Sequence, residues 1–203
     1  LYENKIPTWI EGYIKDKGYI IGPKAVALLA EYLGSDLSKI ANELGKLMIN
    51  LSPPAEITVA DIEANIGISK EYNIFELQTA IGNRDMGKSL KIIEHFASNT
   101  KDNPFVMTVV SLYGYFSKLY IYHSLKDKSR NNVAAKMGVA PFFVDEYEKA
   151  AKLYSPASLQ KIFHTLSEYD LKSKGVGNAS VSEQELYKEF ILKLMYVDKL
   201  GQG

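Results

Sequence analysis

The sequence contains no cysteine. This absence excludes disulfide bonds, thiolate metal sites and a cysteine nucleophile. It is compatible with a reducing compartment, and we expect the protein to be cytoplasmic. No stretch approaches the roughly 18 apolar residues of a membrane-spanning helix, and no signal peptide precedes the patterned sequence. Because the first residue is Leu1 rather than a methionine, we expect the chain to be part of a longer protein.

An excess of charge of either sign is also missing. The 24 Lys and Arg residues balance the 24 Asp and Glu residues, so the formal net charge is zero. Such a chain has no overall field that would attract nucleic acid or an anionic membrane. Residues 1–68 hold six Lys against nine Asp and Glu, and residues 69–203 hold 18 Lys and Arg against 15. The resulting −3 and +3 indicate no particular partner.

Strand patterns are lacking, and the apolar residues follow a helical period almost throughout. In residues 1–68, Pro7 suits a first helical turn, Ser35 is the predicted N-cap of the third helix, and Thr58 caps a short fourth helix. The predicted helices of this small domain cover residues 7–17, 23–33, 35–50 and 59–65.

Residues 72–203 continue the helical pattern and form the second predicted domain. The run over 104–125 contains β-branched Val106, Val109 and Val110, but it is too long for a strand. The predicted helices cover residues 74–81, 85–98, 104–125, 129–137, 141–154, a helix that opens at Pro156, and 182–200. The sequence therefore predicts an all-α protein made of two helical domains, 1–68 and 72–203.

Motifs for catalysis or cofactor binding are absent from the sequence. It has no glycine-rich phosphate loop and no dinucleotide-binding fingerprint after a strand. The three histidines, His95, His123 and His164, lie on different predicted helices, and none has a partner at metal-ligand spacing. We therefore predict no catalytic residue, no cofactor and no metal site. An enzyme whose site forms only in three dimensions stays open as a rival interpretation.

A corner over residues 133–148 resembles the core of a helix-turn-helix. Its second helix should read DNA with basic and amide side chains, yet it offers Asp145, Glu146 and Glu148, which phosphate would repel. A helical DNA-binding regulator that uses this corner is the alternative function. We favour a packed helical corner instead. Its predicted packing residues are Val133, Val139, Phe142 and Phe143.

Five segments carry motifs in a recognisable order and spacing. They are 32–47, which includes Asn-Glu-Leu-Gly-Lys-Leu, then 57–63, 71–85, 137–144, which reads Met-Gly-Val-Ala-Pro-Phe-Phe-Val, and 159–175. Together they resemble the delta subunit of the bacterial DNA polymerase III clamp loader. Gly45 departs from the family pattern, which usually has Glu there, and places a poor helix former within a helix.

The resemblance implies a non-catalytic subunit of a complex that loads the sliding clamp onto primed DNA. Delta subunits are degenerate AAA+ proteins that do not hydrolyse ATP, and their first domain binds the clamp. Residues 1–68 would be the helical lid and residues 72–203 the collar, which packs with other loader subunits into a ring of five. The clamp would be contacted only through the missing first domain, and contact with primer–template DNA stays open. The complex is classed as a DNA-directed DNA polymerase, a nucleotidyltransferase, although we predict no active site in this chain.

The predicted helix over 104–125 is apolar around most of its circumference. Its apolar side chains are Val109, Val110, Leu112, Tyr113, Tyr115, Phe116, Leu119, Tyr120 and Tyr122. Either this helix is central in its own bundle, or one of its faces is a subunit interface. The sequence leaves both interpretations open.

Overall fold

Eleven α-helices make up nearly all the regular structure of residues 5–69, 71–176 and 181–198, which are the residues that the computed structural model describes. The predicted all-α class is confirmed. By its contacts, the chain divides into two units, 1–70 and 71–203.

Within residues 5–69, the first unit consists of four helices and one pair of very short strands. The helices are α1 (Ile6–Asp16), α2 (Pro23–Leu33), α3 (Leu37–Ile49) and α4 (Val59–Ile66), and the strands are β1 (Ile20–Ile21) and β2 (Glu56–Ile57). The strands pair in parallel, with Ile20 opposite Glu56 and Ile21 opposite Ile57. The sequence pattern does not predict this pair, because two residues are too few to show an alternation.

The N-cap of α3 is Asp36, so the prediction that Ser35 caps this helix was wrong. The Asp36 carboxylate accepts hydrogen bonds from the backbone amides of Ser38 at 3.0 Å and Lys39 at 3.1 Å. Asp36 is still extended, with ψ at 99°, and helical geometry begins only at Leu37. An ionised acceptor at this position also complements the positive end of the helix dipole. The predicted cap at Thr58 is confirmed, since Thr58 forms a reciprocal capping box with Asp61.

The core of the first unit is aliphatic. Its fully buried side chains are Ile10, Leu29, Ile40, Leu44, Leu47, Ile57 and Ile62. Tyr19 is also buried, and its hydroxyl donates a hydrogen bond of 2.8 Å to the carbonyl oxygen of Leu51. Each of the four helices contributes to the core, so none of them is stabilised by local propensity alone.

The second unit is a bundle of seven helices among the described residues. They are α5 (Ile74–Gly82), α6 (Met86–Ser98), α7 (Phe105–Ser124), α8 (Arg130–Met137), α9 (Val144–Leu153), α10 (Pro156–Ser173) and α11 (Glu183–Met195). The predicted helix over 141–154 instead begins with a 3-10 turn, Pro141–Phe143, before α9. The predicted helix over 182–200 ends at Met195, and Leu200 lies outside the described residues.

Helix α7 occupies the centre of the bundle and packs against α5, α8, α9, α10 and α11. Its most extensive contact is with α10. Phe105 meets Tyr169, and Tyr113 meets Phe163, so the two helices run in opposite directions. Helix α11 returns to the start of the unit and packs along α6, where the rings of Phe96 and Tyr187 meet edge to face.

Arg84, in the turn between α5 and α6, holds three helix ends together. Its backbone is left-handed, with φ at 55°, and its guanidinium lies 4.3 Å from the centre of the Tyr154 ring. The guanidinium donates to the carbonyl oxygens of Leu153 at 3.0 Å and Met195 at 3.4 Å, and it pairs with the Asp198 carboxylate. Helices α5, α9 and α11 all end here. A cation at this point therefore offsets the partial negative charge of three helix termini.

The partners of Arg84 are themselves fixed by hydrogen bonds. The Ser158 hydroxyl donates to Asp198 at 2.5 Å, and the Tyr154 hydroxyl donates to the carbonyl oxygen of Ile81 at 2.7 Å. Burial raises the pKa of Tyr154 to about 12, although Arg84 opposes the shift. Burial alone would also raise the pKa of Asp198, but Ser158 and Arg84 outweigh it and hold that pKa below its usual value. At neutral pH, Tyr154 is therefore uncharged and Asp198 is ionised.

Candidate assembly surface

Helix α7 has two apolar faces, of which only one is covered within the chain. Its buried face consists of Phe105, Thr108, Val109, Leu112, Tyr115, Phe116 and Leu119. Outside this face, Met107 is 58% exposed, Val110 56%, Tyr113 56% and Tyr120 41%. The helix is therefore central in its bundle and also presents an apolar surface. The sequence left two interpretations open: the structure places α7 at the centre of its bundle, and the subunit interface stays a prediction.

We call these four exposed side chains and the half-buried residues between them the α7 strip. It comprises Met107, Val110, Tyr113, Gly114, Ser117, Tyr120 and Ile121, spaced three and four residues apart along the helix. Gly114, Ser117 and Ile121 are half-buried, and Ile121 also packs against the core. None of these seven side chains is charged. A solvent-facing helix surface usually carries several Lys or Glu residues, whereas here the half-buried Lys118, one turn after Gly114, borders the strip.

The neighbouring helix extends the α7 strip and holds its rings in place. Phe163 of α10 lies between two tyrosines, with its ring centre 5.6 Å from that of Tyr113 and 5.9 Å from that of Tyr120. Such tilted and edge-to-face pairs are favourable aromatic geometries. The two exposed tyrosines are thus positioned before any partner arrives, which lowers the entropy lost on binding.

The corner over 133–148 is packed, but not by all the predicted residues. Val133 is fully buried, while Val139 and Phe143 are half-buried against the core. Phe142 is 61% exposed, so its predicted role in packing the corner was wrong. The 3-10 turn causes the difference, because it directs Phe142 outward and leaves its ring in contact with Phe143.

The same corner presents acidic groups where a DNA-reading helix needs basic ones. Asp145 and Glu146 lie exposed in the first turn of α9. Arg130 donates two hydrogen bonds to Asp145, at 2.6 and 2.7 Å. Lys128 lies 3.7 Å from the centre of the Tyr122 ring, and partial burial lowers its pKa. The basic residues of this region are therefore partly engaged within the chain, which weighs against a DNA-reading corner.

The histidines stay on separate helices, as the sequence placed them. His95 stacks on Tyr72, with ring centres 5.0 Å apart. His123 shares a hydrogen bond of 2.8 Å with the carbonyl oxygen of Tyr154, and His164 is exposed on α10. Within residues 5–69, 71–176 and 181–198, no three His, Asp or Glu side chains converge to hold a metal ion. Every helix in the same ranges is too short or too polar to cross a bilayer.

These features define a class of protein: an all-α chain in which a small helical unit precedes a helical bundle with exposed aromatic side chains. Residues 71–194 match the family described as the DNA polymerase III delta subunit, C-terminal domain. Because this match covers more than half of the chain, the protein belongs to that family. The resemblance drawn from the five sequence segments is confirmed, and so is the fold class of a lid-like domain followed by a helical bundle.

Relatives from two bacteria match nearly the whole chain. The DNA polymerase III subunit delta of Bacillus subtilis is 27% identical over 175 residues, which are 86% of this chain and 50% of that protein. A probable subunit delta of Aquifex aeolicus is 23% identical over 178 residues, again 86% and 50%. A solved structure of the Bacillus subtilis DNA clamp loader delta protein superposes with a TM-score of 0.60 at 25% identity, over 96% of this chain and 57% of that one. The chain thus spans about half the length of the relatives it matches.

Proposed function

We propose that this chain acts within a non-catalytic delta subunit of a DNA polymerase III clamp loader, which helps to load the sliding clamp onto primed DNA. Residues 1–68 would serve as its helical lid and residues 72–203 as its collar. The observation that carries the proposal is the α7 strip, an uncharged and pre-positioned aromatic face on the central helix of a bundle that matches the delta family.

The strip suits assembly better than a role within the chain. Exposure of Tyr113 at 56% and Tyr120 at 41% leaves large rings in water, where burial by a partner would be favourable. Tyrosine is enriched at the centres of protein interfaces, and charged residues are depleted there. The strip carries two tyrosines and no charged side chain.

The partners follow from the same proposal. We expect the other clamp-loader subunits to bind the second unit, in a ring of five, within the cytoplasm. Contact with the sliding clamp would belong to a first domain of the whole subunit rather than to these residues. Contact with primer–template DNA stays a prediction. The catalytic steps of the complex would lie in other chains.

Co-elution tests the proposal directly. The chain is mixed with the remaining clamp-loader subunits from the same source and run on a size-exclusion column at micromolar concentration. We expect a stable complex, which Tyr113→Asp weakens because it places a charge in the uncharged strip. Phe142→Asp is the matched control. Phe142 is also a solvent-facing aromatic residue, 61% exposed, but it lies in the corner over residues 133–148 and not in the α7 strip.

The outcomes of the co-elution and of a DNA-binding assay distinguish the assembly role from the DNA-binding regulator. A well-folded chain that forms no complex would contradict the assembly role. Duplex-DNA binding by the chain alone, weakening steeply with added salt, would instead support the regulator that uses residues 133–148. Equal loss of assembly in both aspartate variants would show that the interface is not confined to the α7 strip.

A further inference from the structure

Methionine supplies the only sulfur atoms of this protein, because the sequence contains no cysteine. Hydroperoxides attack sulfur in proteins, either the thiolate of cysteine or the thioether of methionine. The five methionines are Met48, Met86, Met107, Met137 and Met195. An oxidant that acts on sulfur can therefore modify this chain only at one of these five side chains.

The five methionines differ widely in exposure. Met107 is 58% exposed. Met137 is 4% exposed and Met195 6%, and both belong to the core of the second unit. Met48 and Met86 are half-buried, and Met86 packs against the same core. Because a peroxide must reach the sulfur atom to oxidise it, Met107 is the most accessible target.

The backbone around Met107 is held by contacts that do not involve its side chain. Met107 lies in the first turn of α7, and its amide donates to the carbonyl oxygen of Pro104 at 3.0 Å. On the buried side of the same turn, Phe105 packs edge to face on Tyr187, and Thr108 shares a hydrogen bond of 2.8 Å with the Tyr187 hydroxyl. A change at the Met107 sulfur therefore alters the surface of α7 and leaves the packing of this turn in place.

Oxidation converts the thioether into a sulfoxide. The sulfur lone pair attacks one oxygen of the hydroperoxide, the O–O bond breaks, and the other oxygen leaves as water or an alcohol. The sulfur is oxidised by two electrons and the peroxide is reduced by two. The product is polar, and sulfoxide reductases return it to the thioether, with one enzyme for each sulfoxide epimer. At Met107 this change adds a strong hydrogen-bond acceptor to a strip that has no charged side chain.

We propose that Met107 is a site of reversible oxidation by hydroperoxides, and that its sulfoxide makes the α7 strip less apolar while the fold stays intact. The consequence for assembly rests on the proposed function. A partner that covers the strip would also bury the sulfoxide oxygen, and a buried acceptor without a donor is unfavourable. Oxidation thus acts on the free chain, before a partner covers the sulfur, and opposes assembly until the sulfoxide is reduced.

Treatment of the free chain with hydrogen peroxide tests the site. Peptide mass spectrometry follows the order in which the five methionines each gain one oxygen atom. We expect Met107 to be oxidised before any other methionine and to be restored by the two sulfoxide reductases. The chain oxidised at Met107 alone should elute earlier from a hydrophobic-interaction column, with an unchanged midpoint of urea unfolding. Met107→Leu is the matched control, because leucine keeps a similar apolar volume and cannot be oxidised.

Titration against the remaining clamp-loader subunits tests the consequence for assembly. We expect oxidation to raise the Kd of the wild-type chain at least about fivefold, since the sulfoxide oxygen loses its hydrogen bonds to water on burial. Treatment with the sulfoxide reductases should restore the original value. The Kd of Met107→Leu should not respond to the same peroxide treatment.

Each result bears on one step. Oxidation of Met48 or Met86 ahead of Met107 would refute the site, and a lower urea midpoint after oxidation of Met107 alone would refute an intact fold. An unchanged Kd after oxidation, or an equal rise in Met107→Leu, overturns the effect on assembly and leaves the proposed function standing. Failure of the untreated wild-type chain to assemble overturns the proposed function itself, whereas the peroxide treatment of the free chain still decides the oxidation site.

Discussion

Gly82→Ala should destabilise the second unit, although alanine is the better helix former. The added Cβ would overlap the Tyr115 hydroxyl oxygen, and it would lie 3.2 Å from Cζ of the same ring and 3.3 Å from the Cβ of Ala150. Tyr115 cannot easily move away, since it is 7% exposed and its ring packs on those of Phe116 and Tyr147. The clash therefore falls on a rigid part of the core.

The expected magnitude follows from two opposing effects. Overpacking a filled core costs about 1–3 kcal/mol. Replacing glycine by alanine in a helix returns at most about 1 kcal/mol, and less at the last residue of α5. We therefore expect a net loss of about 1–2 kcal/mol in the free energy of unfolding. The same replacement at Gly114, where the space is open, should give a gain of up to about 1 kcal/mol.

Urea unfolding, followed by far-ultraviolet circular dichroism, measures both changes. Fluorescence of Trp9, the single tryptophan, reports the first unit and serves as an internal control. Tyr115→Phe removes the overlapping oxygen, so the double variant with Gly82→Ala should lose less stability than the sum of the single changes. A Gly82→Ala variant as stable as the wild type, or a strictly additive double variant, would refute the close-packing argument.

Three further predictions concern single residues. Asp36→Ala should reduce the stability of the first unit by about 1 kcal/mol in urea unfolding, whereas Ser35→Ala should change it little. The pKa of Asp198 is lower in the folded state than in the unfolded state, where it is about 3.9. Asp198 therefore stabilises the fold above the unfolded pKa, and this stabilisation is lost as the pH falls through the folded pKa. Asp198→Asn should flatten this acid part of a plot of the free energy of unfolding against pH. Arg130→Ala, which breaks the exposed pair with Asp145, should cost less than about 1 kcal/mol in the same assay, and a larger loss would contradict the exposed position of the pair.

The helical class and most helix positions could be predicted because they depend on local signals. The period of apolar residues, the capping box at Thr58 and the glycines after α2 and α4 all act within a few residues of one another. The choice between Ser35 and Asp36 as a cap could not be made, since both residues are good caps and only the backbone angles decide. The β1–β2 pair was missed because it joins residues far apart in sequence.

The candidate surface was only half predictable. The sequence showed that α7 is apolar around most of its circumference, but it could not tell which side its own bundle covers. That depends on α10, whose Phe163 lies more than 40 residues away from Tyr113 and Tyr120. The exposure of Phe142 was likewise unpredictable, because the direction of its ring follows from the 3-10 turn rather than from its hydrophobicity.

The Arg84–Asp198 ion pair can form only late in the synthesis of the chain. These residues are 114 positions apart, so a ribosome that adds about 5–20 residues per second needs roughly 6–23 s to pass from one to the other. During that interval, the face of α6 that contains Phe96 lacks its packing partner, because α11 with Tyr187 has not yet been synthesised. The nascent chain therefore exposes this apolar surface of α6 for several seconds. The contact of Arg84 with Asp198 can form only after both residues have been synthesised.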